Sequence, residues 1–268
     1  MIPKGSILRG VWRLAAFFLL ILFLAPVQAV AVGLRHELAG RLPGIFHRLC
    51  ARIFGFRIVA HGRPVEATPA LFVGNHTSYL DIMVLGTLID VSFIAKAEVA
   101  TWPLFGMLAR MQRTVFIERR ARHTANQRDE ISARLAAGDR LILFPEGTSD
   151  DGNRVLPFKS ALFAVAEREV DDVPLTVQPF SLSYTALGGL PLGREWRPLL
   201  SWYGDMSLPS HVWRVLTFTT VRAEVRFHDP VTIAQYGSRK ALAEHCFEVV
   251  RQGVANFNAG RNHAVTAA

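Results

Sequence analysis

The stretch Ala70-Leu-Phe-Val-Gly-Asn-His-Thr-Ser-Tyr-Leu-Asp81 decides how this chain is read. Residues 70–74 are apolar or small without alternation, which predicts a strand covered on both faces. Gly74 and Asn75 suit a turn, and residues 79–89 predict a helix after it. His76 then lies at the end of a strand, a usual place for site residues in α/β folds. Asp81 is five residues on. Within one helix that spacing would turn the two side chains to different faces. They meet only if His76 sits in the loop and Asp81 in the first helical turn. The aspartate would then hold one imidazole nitrogen and leave the other as a base toward a hydroxyl. A second reading fits the same residues: Ser78-Tyr-Leu-Asp81 starts like a capping box, beside an ordinary loop histidine. No second histidine or cysteine lies at ligand spacing, so no metal is expected.

The pattern repeats outward from this stretch. Strands are predicted at 56–60, 70–74, 91–95, 114–118, 140–144, 175–184 and 223–228. Helices are predicted at 79–89, 103–111, 124–137, 158–170, 209–218 and 239–258. Strands alternating with helices predict an α/β domain. The run Leu141-Ile-Leu-Phe-Pro-Glu-Gly-Thr-Ser-Asp150 repeats the layout of strand then loop. Pro145 ends strand pairing, and Gly147 lets backbone approach a ligand. Main-chain N–H groups around Glu146, Gly147 and Thr148 suit an oxyanion or a polar head group, although a plain solvated loop reads the same way. Arg119 follows the strand at 114–118. Its planar fork suits an anion, or equally a surface salt bridge.

The N-terminus is of another kind. Leu14 to Val27 carries no polar side chain, and the apolar character resumes after Gln28 as far as Leu34. A helix over 14–34 would be about 31 Å long, enough to cross a bilayer core. Lys4, Arg9 and Arg13 precede it, and Arg35, Arg41, Arg48, Arg52 and Arg57 follow. A cleaved signal peptide, a single span and a helical hairpin bent near Pro26 all fit. Basic residues on both flanks favour both ends on the cytoplasmic side. The expected organisation is a membrane anchor and basic connector over 1–55, then one domain over 56–268. The balance of 30 basic against 22 acidic residues, a formal +8, suits phosphates on a membrane or on nucleic acid. No nucleic-acid reader motif is present, so the membrane is the expected partner. Cys50 and Cys246 fit neither a disulfide framework nor a zinc site.

Taken in order, Asn75-His76-x4-Asp81, Phe116-Ile-Glu-Arg119, Phe144-Pro-Glu-Gly-Thr148 and Val177-Gln-Pro179 resemble the glycerolipid acyltransferase family. Each motif alone is weak; four in register are specific. The resemblance covers roughly residues 52–179 and extends through Trp202-Tyr-Gly-Asp-Met206. It implies a mixed, largely parallel sheet flanked by helices. It implies that His76, oriented by Asp81, is the general base on an acceptor hydroxyl. That hydroxyl attacks the thioester of acyl carrier protein or coenzyme A, with no cofactor and no acyl-enzyme. Arg119, Glu146, Gly147 and Thr148 would bind the acceptor head group. Lys159 would assist, although a helix-start lysine is commonly just exposed. The implied location is the inner membrane of a bacterium, with the site facing the cytoplasm.

Two departures bear on the acceptor. Family members that acylate lysophosphatidic acid carry arginine after Phe-Pro-Glu-Gly-Thr, whereas here Ser149-Asp-Asp151 follows. Two carboxylates there repel a phosphate monoester and attract an amine. Arg113 also replaces an earlier glycine of the second motif. This version looks more like bacterial lyso-ornithine lipid O-acyltransferases, with lysophosphatidic acid as the alternative acceptor. A non-enzymatic basic membrane-binding protein is the alternative of another class.

Overall fold

The computed structural model describes residues 5–66, 69–117, 124–167, 169–170 and 173–261. Its first helix, α1 (Ile7–Gly33), starts at Ser6, whose hydroxyl accepts from the Arg9 amide, and continues through Pro26. By length and composition alone it could cross a membrane, with a mean hydropathy of 2.5 over an 18-residue window. Its two sides differ. Leu8, Trp12, Leu19, Leu22, Phe23 and Val30 are exposed. Gly10, Arg13, Ile21, Gln28 and Ala31 are buried, at the spacing of one helical face. That face is tied to the rest of the chain at both ends. The Ser6 amide donates to the Thr217 carbonyl, and the Arg13 guanidinium donates to the Leu216 and Phe218 carbonyls at 3.2 and 2.7 Å. Gln28 Nε2 donates to the carbonyls of Ala39 and Met111 at 3.0 and 2.7 Å. The helix therefore lies along the domain for its whole length.

The chain reverses at residues 34–37, not near Pro26, and returns as α2 (Leu38–Phe54). This helix stands where a connector was expected. Its exposed stripe is Leu38, Arg41, Ile45, Arg48 and Arg52, and its buried side includes Pro43, His47, Cys50 and Phe54. The arginines masked a helical period that is clear once the two stripes are separated.

The sheet follows. In chain order its strands are β1 (Phe56–His61), β2 (Ala70–Gly74), β3 (Ser92–Lys96), β4 (Val115–Ile117) and β5 (Arg140–Leu143). A two-residue ladder, β6 (Glu169–Val170) with β7 (Val173–Pro174), lies apart. Then come β8 (Thr176–Leu187), β9 (Leu190–Pro191) and β10 (Val221–Phe227). The order is β1-β10-β8-β2-β5-β3-β4, with β9 beside β8. β10 runs antiparallel to β8, and the other neighbours on that path are parallel. The mixed, largely parallel sheet is thus as expected.

Each central strand feeds both faces. Ala70 and Phe72 pack toward α2, α3 (Leu80–Leu88) and α6 (Leu208–Thr217). Leu71 and Val73 join Ile131 and Leu135 of α5 (Thr124–Ala136) and Leu242 and Cys246 of α7 (Arg239–Asn258). The helix α4 (Phe105–Met111) receives the end of α1. The helix predicted at 158–170 is instead a 3-10 turn, Ser160–Glu167, followed by β6. Phe163, Ala164, Val165 and Ala166 are buried in succession, which one face of an α-helix cannot provide.

Candidate active site

β2 and β5 are adjacent and parallel, with Val73 paired to Leu143. His76 and Glu146 each follow three residues later, so the two loops meet at the carboxyl edge of the sheet. The meeting is sealed by the Glu146 carboxylate, which accepts from the His76 amide at 2.7 Å and from the Leu156 amide at 2.8 Å. The Asp150 amide donates to the His76 carbonyl. Asn75 clasps the next strand, exchanging two hydrogen bonds with the Leu182 backbone.

Asp81 sits in the first turn of α3, and His76 lies in the loop before it. Their side chains meet: His76 Nδ1 is 2.8 Å from Asp81 Oδ2. The same oxygen accepts from the amides of Thr77 and Ser78 at 2.7 and 3.0 Å. Oδ1 accepts from the Thr77 hydroxyl at 3.1 Å and the Tyr184 hydroxyl at 2.6 Å. The helix-cap reading and the histidine-partner reading are therefore one arrangement: the carboxylate that closes the turn also holds the imidazole. It is only half of a capping box, because Ser78 Oγ has no partner among the described residues. A carboxylate in this position accepts from Nδ1–H, which leaves Nε2 with a free lone pair. The imidazole stacks on Phe144, with centroids 4.1 Å apart, and Phe144 meets Phe180 edge-on. The Phe180 ring in turn covers Gly74, where an added Cβ would lie 2.3 Å from Cε2. Only glycine fits there.

Burial pushes the Glu146 carboxyl up to about 8, against the lowering effect of its two amide bonds. Between its ordinary value of 4.5 and about 8, the folded chain keeps a proton that the unfolded chain has lost. Stability from this group is fully present below the lower value and falls as pH rises through the window, by at most roughly 1.4 kcal/mol per pH unit. Glu146→Gln does not titrate, and its unfolding free energy is expected to be flatter than that of the wild type over this range. Denaturant titrations at several pH values measure the difference.

Lys159, Gly147 and Thr148 lie around the same loop. The Lys159 amide donates to the Pro145 carbonyl. Its ammonium lies over Gly147, which adopts φ +69 and where a Cβ would be 2.7 Å from Nζ. Thr148 is exposed. The Ser149 hydroxyl donates to the Trp202 carbonyl, and the Trp202 amide to the Thr77 carbonyl, which fastens both loops to residues 202–206. Asp151 is engaged by its own turn, accepting from the Asn153 backbone and side chain. The Asp150 carboxylate pairs only with the exposed Arg154 among the described residues. Arg119 lies outside the described residues. Arg113, at the place of the missing glycine, takes φ +59. Its guanidinium bonds Asp139, which holds it in a backbone region that favours glycine.

An apolar cavity of about 800 Å³ opens from His76. It runs between α1, α2 and α3, with walls that include Phe17, Ile21, Phe46, Met83 and Trp102. Motif reading could not find it, because helix faces build it rather than a local pattern. Tyr184 was missed for a similar reason: its partner lies 103 residues away. The site thus offers an imidazole base, a buried carboxylate behind it, and an apolar channel beside it.

Comparison with known proteins gives the same direction. Residues 57–183 match a family model described as Acyltransferase. The chain is 49% identical over 233 residues to the lyso-ornithine lipid O-acyltransferase of Brucella abortus (strain 2308), covering 85% of this chain and 87% of that protein. It is 38% identical over 247 residues to the enzyme of the same name from Rhizobium meliloti (strain 1021), covering 91% and 85%. In fold it resembles the crystal structure of the 1-acyl-sn-glycerophosphate acyltransferase of Thermotoga maritima. The TM-score is 0.61 at 24% identity, over 92% of this chain and 98% of that one.

Proposed function

The chain belongs to the acyltransferase family, and we propose that it moves a fatty acyl group from an acyl carrier protein or coenzyme A thioester to the hydroxyl of lyso-ornithine lipid. The observation that carries this reading is the His76–Asp81 pair at the mouth of an apolar cavity. His76 Nε2 takes the proton of the acceptor hydroxyl as its oxygen attacks the thioester carbonyl. Asp81 stabilises the imidazolium that forms. The tetrahedral intermediate collapses, the C–S bond breaks, and the imidazolium returns the proton to the departing thiolate. An acyl chain lies in the cavity, where its burial favours binding at ~0.8 kcal/mol per CH₂.

The acceptor assignment rests on the two relatives and on Asp150. Its backbone is bonded to His76, and its carboxylate is matched only by the exposed Arg154 among the described residues. An ornithine ammonium replaces that arginine readily, while a phosphate monoester is repelled. Gly147, Thr148 and Lys159 face the rest of the head group, Lys159 toward the carboxylate of ornithine. Arg119 has the same anion-binding role in this reading.

α1 rests in one leaflet rather than crossing the membrane. Both of its ends are bonded to the same domain, and its exposed side is an unbroken apolar stripe. The α2 arginines lie beside it at head-group level. Removal of this helix as a signal peptide would strip Phe17, Ile21 and Gln28 from the cavity wall, so the segment is retained in this reading. Cytosolic acyl donors put the site on the cytoplasmic side of the inner membrane.

Lipid mass spectrometry of cells lacking the protein tests the acceptor. Lyso-ornithine lipid is expected to accumulate; accumulation of lysophosphatidic acid instead would overturn the assignment. In the purified enzyme, Asp150→Asn is expected to raise KM for lyso-ornithine lipid about tenfold, the scale of one lost hydrogen bond to a charged group.

A further inference from the structure

Tyr184 stands outside every motif of the chain, yet it makes the shortest of the five hydrogen bonds to Asp81, at 2.6 Å. It projects from β8, and both side chains are buried, Tyr184 at 4% exposure and Asp81 at 0%. The five donors divide the carboxylate. Oδ2 receives His76 and two amides, while Oδ1 receives only the hydroxyls of Thr77 and Tyr184. Among the described residues, His76 is the only ion-pair partner of Asp81. Tyr184 also packs edge-on against Phe56, with centroids 6.2 Å apart, so its ring is fixed independently of its hydroxyl.

We propose that Tyr184 is a positioning residue of the His76–Asp81 pair, its hydroxyl holding the carboxylate in the rotamer that receives Nδ1 and drawing negative charge toward Oδ1. The inference rests on His76 acting as the base. Burial and the adjacent Asp81 carboxylate hold the phenol well above its usual titration range, so it donates at every working pH. Among the described residues, two other titratable groups interact with this cluster. Glu146 lies close enough to feel the Asp81 charge, and Tyr79, bonded to His211 of α6 at 3.1 Å, lies near Tyr184. Neither replaces the Tyr184 bond, because no hydrogen bond joins either of them to Asp81 among the described residues.

The consequence has a definite sign. Charge drawn to Oδ1 is charge withheld from the imidazolium at Oδ2. Without the phenol hydroxyl, the pair takes up a proton more readily, and the acid limb of the rate profile moves to higher pH. A more acidic phenol acts in the opposite sense. A residue that only filled space would move neither limb.

The test uses the full-length purified enzyme in lipid vesicles, with the lysolipid acceptor that the wild type turns over. Tyr184→Phe keeps the ring. It is expected to lower kcat roughly tenfold, to leave KM within about twofold, and to raise the acid limb by roughly half a pH unit or more. 3-Fluorotyrosine at position 184 folds with minimal change in shape and is expected to lower the limb. An unmoved limb in both proteins, whatever happens to kcat, overturns the inference. Should Tyr184→Phe not fold, the fluorinated protein alone decides by the same criterion. A wild type active on a lysolipid beside unmoved variants sinks only this role for Tyr184. A wild type whose rate is unaffected by loss of the His76 side chain sinks the mechanism beneath it as well.

Discussion

His76→Ala is expected to lower kcat by roughly 100- to 10,000-fold, the range supplied by a positioned general base, while the protein still folds and binds lipid. The structural cost is small for stated reasons. The imidazole contributes one hydrogen bond and a stack on Phe144, and 23% of the side chain already faces solvent. Its removal leaves Asp81 with four other donors, so no buried anion is orphaned. The loss of stability is therefore expected to be about 1 kcal/mol. Steady-state rates with an acyl thioester and a lysolipid, read beside a thermal melt, check both halves. A purified variant that keeps the wild-type rate removes His76 from the chemistry.

Asp81→Asn separates charge from architecture. The amide oxygen can keep the Oδ2 position, where it still accepts from His76 and the Thr77 and Ser78 amides. Its NH₂ group then occupies the Oδ1 position and faces two hydroxyls, Thr77 and Tyr184. Hydroxyl groups accept as well as donate, so the network reverses there and does not break. Folding is expected to survive at a cost of about 1–2 kcal/mol. What disappears is the negative charge behind the imidazolium. A fall in kcat of roughly 1,000-fold or more is expected, as for other histidine bases deprived of their carboxylate. Equal losses of stability and activity, with activity regained at lower temperature, would assign Asp81 to architecture alone.

The parts of the site that sequence reading reached are those written in short stretches. His76 and Asp81 are five residues apart, and Glu146 to Thr148 is continuous, so both loops were visible as strand-turn patterns. What escaped is distributed. Tyr184 reaches Asp81 only because β8 lies beside β2. The cavity exists only because α1 and α2 fold back on α3, and α2 was hidden because its exposed stripe is basic. Posing Asp81 as either a cap or a partner was a false choice, since one carboxylate has enough lone pairs for both tasks. At 158–170 a run of apolar residues suggested a helix, whereas the chain forms a 3-10 turn with residues 163–166 buried in succession. Arg113 shows the reverse: a residue foreign to its backbone conformation is held there by Asp139.

The pairing of Val73 with Leu143 restricts how such a chain can drift in length. His76 and Glu146 keep the same phase beyond that pair, although a helix-rich connection of many residues separates them in sequence. Residues gained or lost between the end of α3 and the start of β5 leave the phase untouched. One residue gained between Val73 and His76, or between Leu143 and Glu146, throws the two loops out of step. The carboxylate then loses the amide it grips, and the seal between the two loops goes with it.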